Sequence, residues 1–366
     1  MQKEQVRFNN LNNKEFIQGL RINVNKYFKE NNISKYGNLN MYFKTAFMVG
    51  LYFIPLGVLL SGTITTAPWM YLMWFLMSLG MAGIGLSVMH DANHGAYSTN
   101  KYINSFFGFI VNFLGAYHIN WKVQHNVLHH SFTNIEGHDE DITKPVMRFS
   151  PEQPYQSKFK YQAYYAPIFY GLLTIYWLIA KDIDQVIRYG KRNLLKGQNR
   201  TTTSAVLEII AYKIIYVILT LVLPILVLDI HWGYVVAGFF GMQFLSGLIL
   251  ALVFQAAHVL EETHFYTPGK NGSMENNWAI HQLMTTSNFG TENKLFTWLI
   301  GGLNHQVEHH LFPTICHVHY GPISKVIKET AQEFGVPYKE HKSFYLALKS
   351  HFTLLNRLGR NEIVAA

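Results

Sequence analysis

Three short runs concentrate the histidines: His90-Asp91-Ala92-Asn93-His94, His125-Asn126-Val127-Leu128-His129-His130 and His305-Gln306-Val307-Glu308-His309-His310. A spacing of four puts two imidazoles on one helix face, one turn apart, and a doubled histidine adds an adjacent direction. Neutral imidazole is a good ligand for iron, zinc, copper or nickel. The three runs hold eight of the 18 histidines, more than the four ligands of a tetrahedral site. The pattern therefore predicts two metals. The first run lacks the glutamate of HExxH, which disfavours a zincin site. The single cysteine, Cys316, excludes an internal disulfide, a four-thiolate zinc site, an iron–sulfur cluster and CxxCH haem attachment. A histidine-rich two-metal site with open positions fits iron and dioxygen chemistry. It differs from the soluble di-iron bundles, whose ligands are mostly glutamates.

The elements that must position these runs are apolar. Of the 366 residues, 49% are hydrophobic and only 14% charged, which argues against a disordered chain. Thr45–Met89 contains no Asp, Glu, Lys or Arg over 45 residues. A bilayer core takes about 20 apolar helical residues per crossing, so this window holds two spans, near 42–60 and 67–89. A second pair lies near 209–228 and 231–259, with Asp229 at the turn. Tyr102–Trp121 and Tyr161–Ala180 are also free of formal charge. The first carries Asn104, Asn112, His118 and Asn120, and the second carries Pro167 and several tyrosines that suit an interface.

Charge placement orients the chain. The formal charge is +8, from 30 Lys+Arg against 22 Asp+Glu. Basic residues crowd the first 44 positions, the 181–200 stretch and the C-terminal tail, and the hairpin turns carry none. Positive segments stay cytoplasmic, which predicts both termini inside. One metal site requires all three runs on one side, so 102–121 and 161–180 should lie in the interface without crossing. The expected fold is an all-α integral membrane protein. Four spans in two hairpins carry a cytoplasmic helical cap with the di-metal site. Residues 1–40 form a cytoplasmic arm, without a secretory signal, and 41–366 form one domain.

HDANH, HNVLHH and HQVEHH, in this order around two hydrophobic hairpins, resemble the membrane fatty acid desaturases. The run from Gly302 to Pro313 is similar to front-end members, in which glutamine opens the third box. The resemblance implies His90, His94, His125, His129, His130, His309 and His310 as iron ligands. Gln306 matches the family's first position of the third box, while His305 mirrors His125 at spacing four. Asn277-Trp278-Ala279-Ile280-His281 resembles the NxxxH segment of stearoyl-CoA desaturases, which implies His281 as a ligand and Asn277 as reaching metal through water. No HPGG haem motif is present, so the resemblance implies a separate electron donor, ferredoxin or cytochrome b5.

The implied reaction oxidises an unactivated methylene pair, beyond the power of any side chain. It needs two iron ions, dioxygen and two external electrons, and yields a cis alkene in a fatty acyl chain carried by CoA, a carrier protein or a phospholipid. Asp91 is expected to accept an imidazole N–H and orient a ligand. Asp139, Glu140 and Asp141 read as a solvated loop, and His258 as a secondary group near the ligands. No nucleic-acid partner is expected, and the bacterial inner membrane is the expected location. The same motifs are compatible with a lipid hydroxylase. A membrane metal transporter would place ionisable ligands at mid-bilayer, and a zinc hydrolase would need fewer ligands beside an acid.

Overall fold

The computed structural model describes residues 6–9 and 13–362. The chain divides into two compact units. One comprises Gly37–Val123 and Pro167–Ala251; the other comprises the segment up to Tyr36, Gln124–Ala166 and the chain from Leu252 on.

The first unit is built from apolar helices. Among the described residues, four helices are long and apolar enough to cross a membrane: Leu39–Leu60, Ala67–Asn93, Thr202–Val227 and Trp232–His258. The last runs on into the second unit. Asn38 caps the first of them by accepting from Met41 N at 3.3 Å, which supplies one of the donors a helix start leaves unpaired. The first two pack closely because Gly80 has no side chain: a Cβ there would come within 2.6 Å of the Tyr52 nitrogen. Ser246 and Trp74 lock the pairs together, through a hydroxyl bond to the Ser78 carbonyl at 3.2 Å and an edge contact with Phe239. The third helix begins seven residues before the expected 209, because Thr201 and Ser204 cap each other reciprocally. That start takes in Glu208, which pairs with Arg200 at 2.8 Å, and Lys213 farther along lies 2.8 Å from Asp182.

The two ambiguous stretches are broken. Lys101–Phe109 is a nine-residue helix, continued by a tighter turn at Ile110–Leu114 and ended by Gly115 at φ 87°. Nine residues are too few to cross. The later stretch forms two helices, Ser157–Gly171 and Leu173–Lys191, bent by 59°.

The second unit has its own core. Helix Lys14–Glu30 presents Phe16, Leu20 and Val24, a stripe at spacing four, to Ala279, Leu283, Ile323 and Ile327. Fully burying each such side chain contributes about 1.5–3 kcal/mol. Val307 and Leu311 of the short helix Gln306–Leu311 enter the same cluster. The third histidine run is thus anchored by its own apolar residues.

Candidate metal centre

The second histidine run does not sit on a regular α-helix. Val123–His129 is a π-helical segment. In an α-helix, a residue five positions on lies about 140° round from the first. A π-turn closes its bonds from i to i+5 and brings that residue back over the first. His125 and His130 therefore share a side, with their Nε2 atoms 3.2 Å apart. His130 Nε2 is also 2.9 Å from His309 Nε2.

Among the described residues, two all-histidine groupings in this unit could hold a metal, His129 with His258 and His310, and His130 with His309 and His310; a third joins His129 to Asp139 and Asp141. All of these histidines are buried. In three of these rings Nδ1 faces an oxygen that can only accept. His129 Nδ1 donates to Asp139 Oδ2 at 3.0 Å, His310 Nδ1 to Gln282 Oε1 at 2.8 Å, and His258 Nδ1 to the Thr285 carbonyl at 3.3 Å. The proton is thereby placed on Nδ1, and Nε2 keeps the lone pair a metal needs. His309 Nδ1 lies 3.1 Å from the Tyr320 hydroxyl. Nε2 of His129 is buried with no hydrogen-bond partner among the described residues, a costly arrangement unless a ligand or metal occupies it. These donors fit a transition metal of imidazole preference.

Asp139 corrects the expectation of a solvated loop. It is fully buried and also accepts from the backbone of Asn134 and Asp141, at 3.0 and 2.9 Å. Burial alone pulls His129 toward its neutral form, but Asp139, with Asp141 behind it, holds its pKa above the ordinary value.

The remaining expected residues fall elsewhere. His281 joins neither grouping. Its Nε2 donates to the Thr133 carbonyl at 2.7 Å, and burial pushes its pKa down to about 4. Asn277 caps helix Trp278–Thr285, accepting from Ile280 N at 3.0 Å. His305 joins neither grouping; its Nδ1 is 3.6 Å from Glu308. Gln306 is buried in the first turn of helix Gln306–Leu311 and joins neither grouping.

His90 and His94 belong to the apolar unit. They follow a π-turn at Ile84–Val88, and their rings are 4.8 Å apart, both meeting Trp121 edge-on at 5.4 and 5.9 Å. The Asp91 carboxylate is buried, 3.9 Å from His90 Nδ1.

Residues 66–342 match the family described as fatty acid desaturase. The chain belongs to that family. Relatives of this desaturase include the sn-1 linoleoyl-lipid 6-desaturase of Synechocystis, 35% identical over 94% of this chain and 96% of that protein. The enzyme of the same name from Arthrospira platensis is 34% identical, over 94% and 93%. The acyl-lipid (8-3)-desaturase of Physcomitrium patens is 32% identical, over 98% of this chain and 75% of that protein.

Sequence reasoning underrated His258 and missed Gln282 and Tyr320 in this desaturase. His258 ends an apolar helix with no partner histidine at helical spacing, so nothing local separated it from a core histidine. Gln282 and Tyr320 lie 28 and 11 residues from the histidines they hold.

Proposed function

We propose that the protein is an O2-dependent acyl-lipid desaturase of front-end type. His90, His94, His125, His129, His130, His258, His309 and His310 are its iron ligands in this reading. The observation that carries it is the tethering of Nδ1 in His129, His258 and His310, which aims three Nε2 lone pairs inward. The relatives' names support the acyl-lipid substrate and the front-end class.

Two iron ions, when bound, supply with dioxygen the oxidising power that removes two hydrogens from adjacent methylenes. The balance is one O2, two electrons and two protons in, and one alkene and two waters out. The electrons come from a separate carrier, ferredoxin or cytochrome b5. The protein's residues do the positioning. Asp139 holds the His129 proton on Nδ1 and raises the basicity of the ring. Gln282 does the same for His310 and also donates to the His130 carbonyl at 3.2 Å, tying the second and third runs together. Gln306, rather than His305, serves the third run's first position. Phe254 lies against His125, His129 and His258 and keeps water from that side.

The four apolar helices are the membrane spans, with 102–121 and 157–191 held at the interface. The basic ends support a cytoplasmic location for both termini and for the histidine runs. Expression in a bacterial host with a ferredoxin or cytochrome b5 system, followed by gas chromatography–mass spectrometry of total fatty acids, tests the activity. A new acid two mass units lighter, absent with His309→Ala, is the expected result. A product heavier by one oxygen would make the protein a hydroxylase instead.

A further inference from the structure

The third histidine run rides on a helix too short to fix its own rotation. Gln306–Leu311 has six residues, and His305 ahead of it caps it with no side-chain bond. A helix of that length is marginal by itself, so neighbours must hold it. Asn288 grips it at two points. Its Oδ1 accepts from the Val307 backbone N–H at 2.9 Å, and its Nδ2 donates to Glu308 Oε2 at 2.8 Å. One grip is on the backbone of the first turn and the other on a side chain. Together they oppose rotation about the helix axis.

Tyr338 closes the clamp. Its hydroxyl donates to Glu308 Oε1 at 2.8 Å and accepts from Asn288 Nδ2 at 2.7 Å. Both carboxylate oxygens are thus engaged, and Glu308 is fully buried. A carboxylate out of water is costly unless it is hydrogen-bonded, so loosening the clamp is penalised. Asn288 is itself pinned by a parallel strand pair, Asn288–Phe289 beside Glu340–His341. Its backbone N–H donates to the Lys339 carbonyl at 3.0 Å, and that of Gly290 to the His341 carbonyl at 2.9 Å.

On a helix, His309 and His310 lie about 100° and 200° round from Glu308. Their rings leave on other sides than the clamped carboxylate, and any rotation of the helix carries them along. Gln282 and Tyr320 orient the two rings at Nδ1; the clamp orients the backbone that bears them. We propose that Glu308 and Tyr338, with Asn288 between them, are positioning residues that set the rotation of helix Gln306–Leu311 and so the direction of the His309 and His310 Nε2 atoms. The proposal rests on the metal-centre reading.

The test uses the purified, metal-free full chain in detergent, titrated with cobalt(II) in competition with a chelator. The visible absorption of bound cobalt(II) reports ligand geometry. Glu308→Gln and Tyr338→Phe should each weaken cobalt(II) about tenfold, the low end of what losing a ligand's outer partner costs, and should shift the visible band. Because both act through one clamp, the double variant should lose little more than the worse single. Thr330→Val removes the Asn23–Thr330 bond of 3.0 Å in the same unit and serves as the structural control. It should lower the unfolding midpoint and leave cobalt(II) affinity and band in place. In turnover, Tyr338→Phe should lower kcat with KM kept. If Glu308→Gln does not fold, Tyr338→Phe against Thr330→Val decides alone. Wild-type affinity and band in Tyr338→Phe, or an equal change in Thr330→Val, overturns the clamp and leaves the metal-centre reading standing. A wild-type chain that takes up no cobalt(II) overturns that reading and the clamp with it.

Discussion

The two units handle buried polar groups in opposite ways. In the apolar unit the buried charges close on each other: Lys213 meets Asp182 at 2.8 Å, and Asn120 donates to the Asp182 carbonyl at 2.8 Å. In the histidine unit the bonds are deliberately one-sided. His129, His258 and His310 are each tied at Nδ1, which leaves the proton there and the lone pair on Nε2. The first pattern stabilises a helix that must carry a lysine through apolar surroundings. In the second, the buried Nε2 of His129 has no hydrogen-bond partner among the described residues, an arrangement that the proposed metal would complete. Buried polarity in this protein is therefore read by whether its bonds close.

The largest effects should come from the open side. His129→Ala or His309→Ala should bring turnover below roughly 1% of wild type, since even losing a ligand's outer partner costs 10–100-fold. Fatty acid profiles and iron content of the purified protein check this, and recovery from the membrane fraction should be unchanged. Turnover retained in both variants would remove the di-iron reading. His258→Ala and His281→Ala sharpen the contrast: iron content should fall in the first and hold in the second. The reverse result would restore His281 as the ligand.

Asp139→Asn tests the tether rather than the ligand. The amide can still meet His129 but without charge, and metal affinity should drop about 10–100-fold, read by competition with a chelator. On the closed side, Asp182→Ala strands Lys213 and should cost about 3–5 kcal/mol, seen as a lower unfolding midpoint in detergent. Joint replacement with Lys213→Met should recover most of it; no recovery would show that the pair is not what Asp182 stabilises.

The smallest effect is a pH dependence. His351 is buried, donates from Nδ1 to the Val259 carbonyl at 2.8 Å, and is pushed by burial down to about 4. Between pH 6.5 and 4 the unfolded chain takes up a proton that the native state refuses. Stability is thus fully present above about 6.5 and falls as the pH drops toward 4, by on the order of 3 kcal/mol. His351→Gln should flatten that part of the curve in a denaturation series.

Much of the fold was legible because a bilayer core imposes a length and a polarity that composition alone reports. The charge-free window from Thr45 to Met89 reads directly as the helices ending at Leu60 and Asn93. The division into two units was not legible, since each is assembled from separated stretches. Helix Lys14–Glu30 shows why: its stripe of Phe16, Leu20 and Val24 announces a buried face but does not say that Ile323 and Ile327 bury it. The NxxxH reading of Asn277 and His281 has a local competitor, because an asparagine before a helix also caps it.

The sequence by itself determined that eight histidines fall in three runs at helical spacing, because imidazole spacing along a helix is a local property. It also determined four apolar helices, because transfer of a side chain from water depends on that side chain alone. Tertiary structure decided which imidazoles share a grouping and which nitrogen each presents. Those choices depend on partners far along the chain, such as Gln282 for His310 and Thr285 for His258, and on a π-turn that pattern-reading at helical spacing could not foresee.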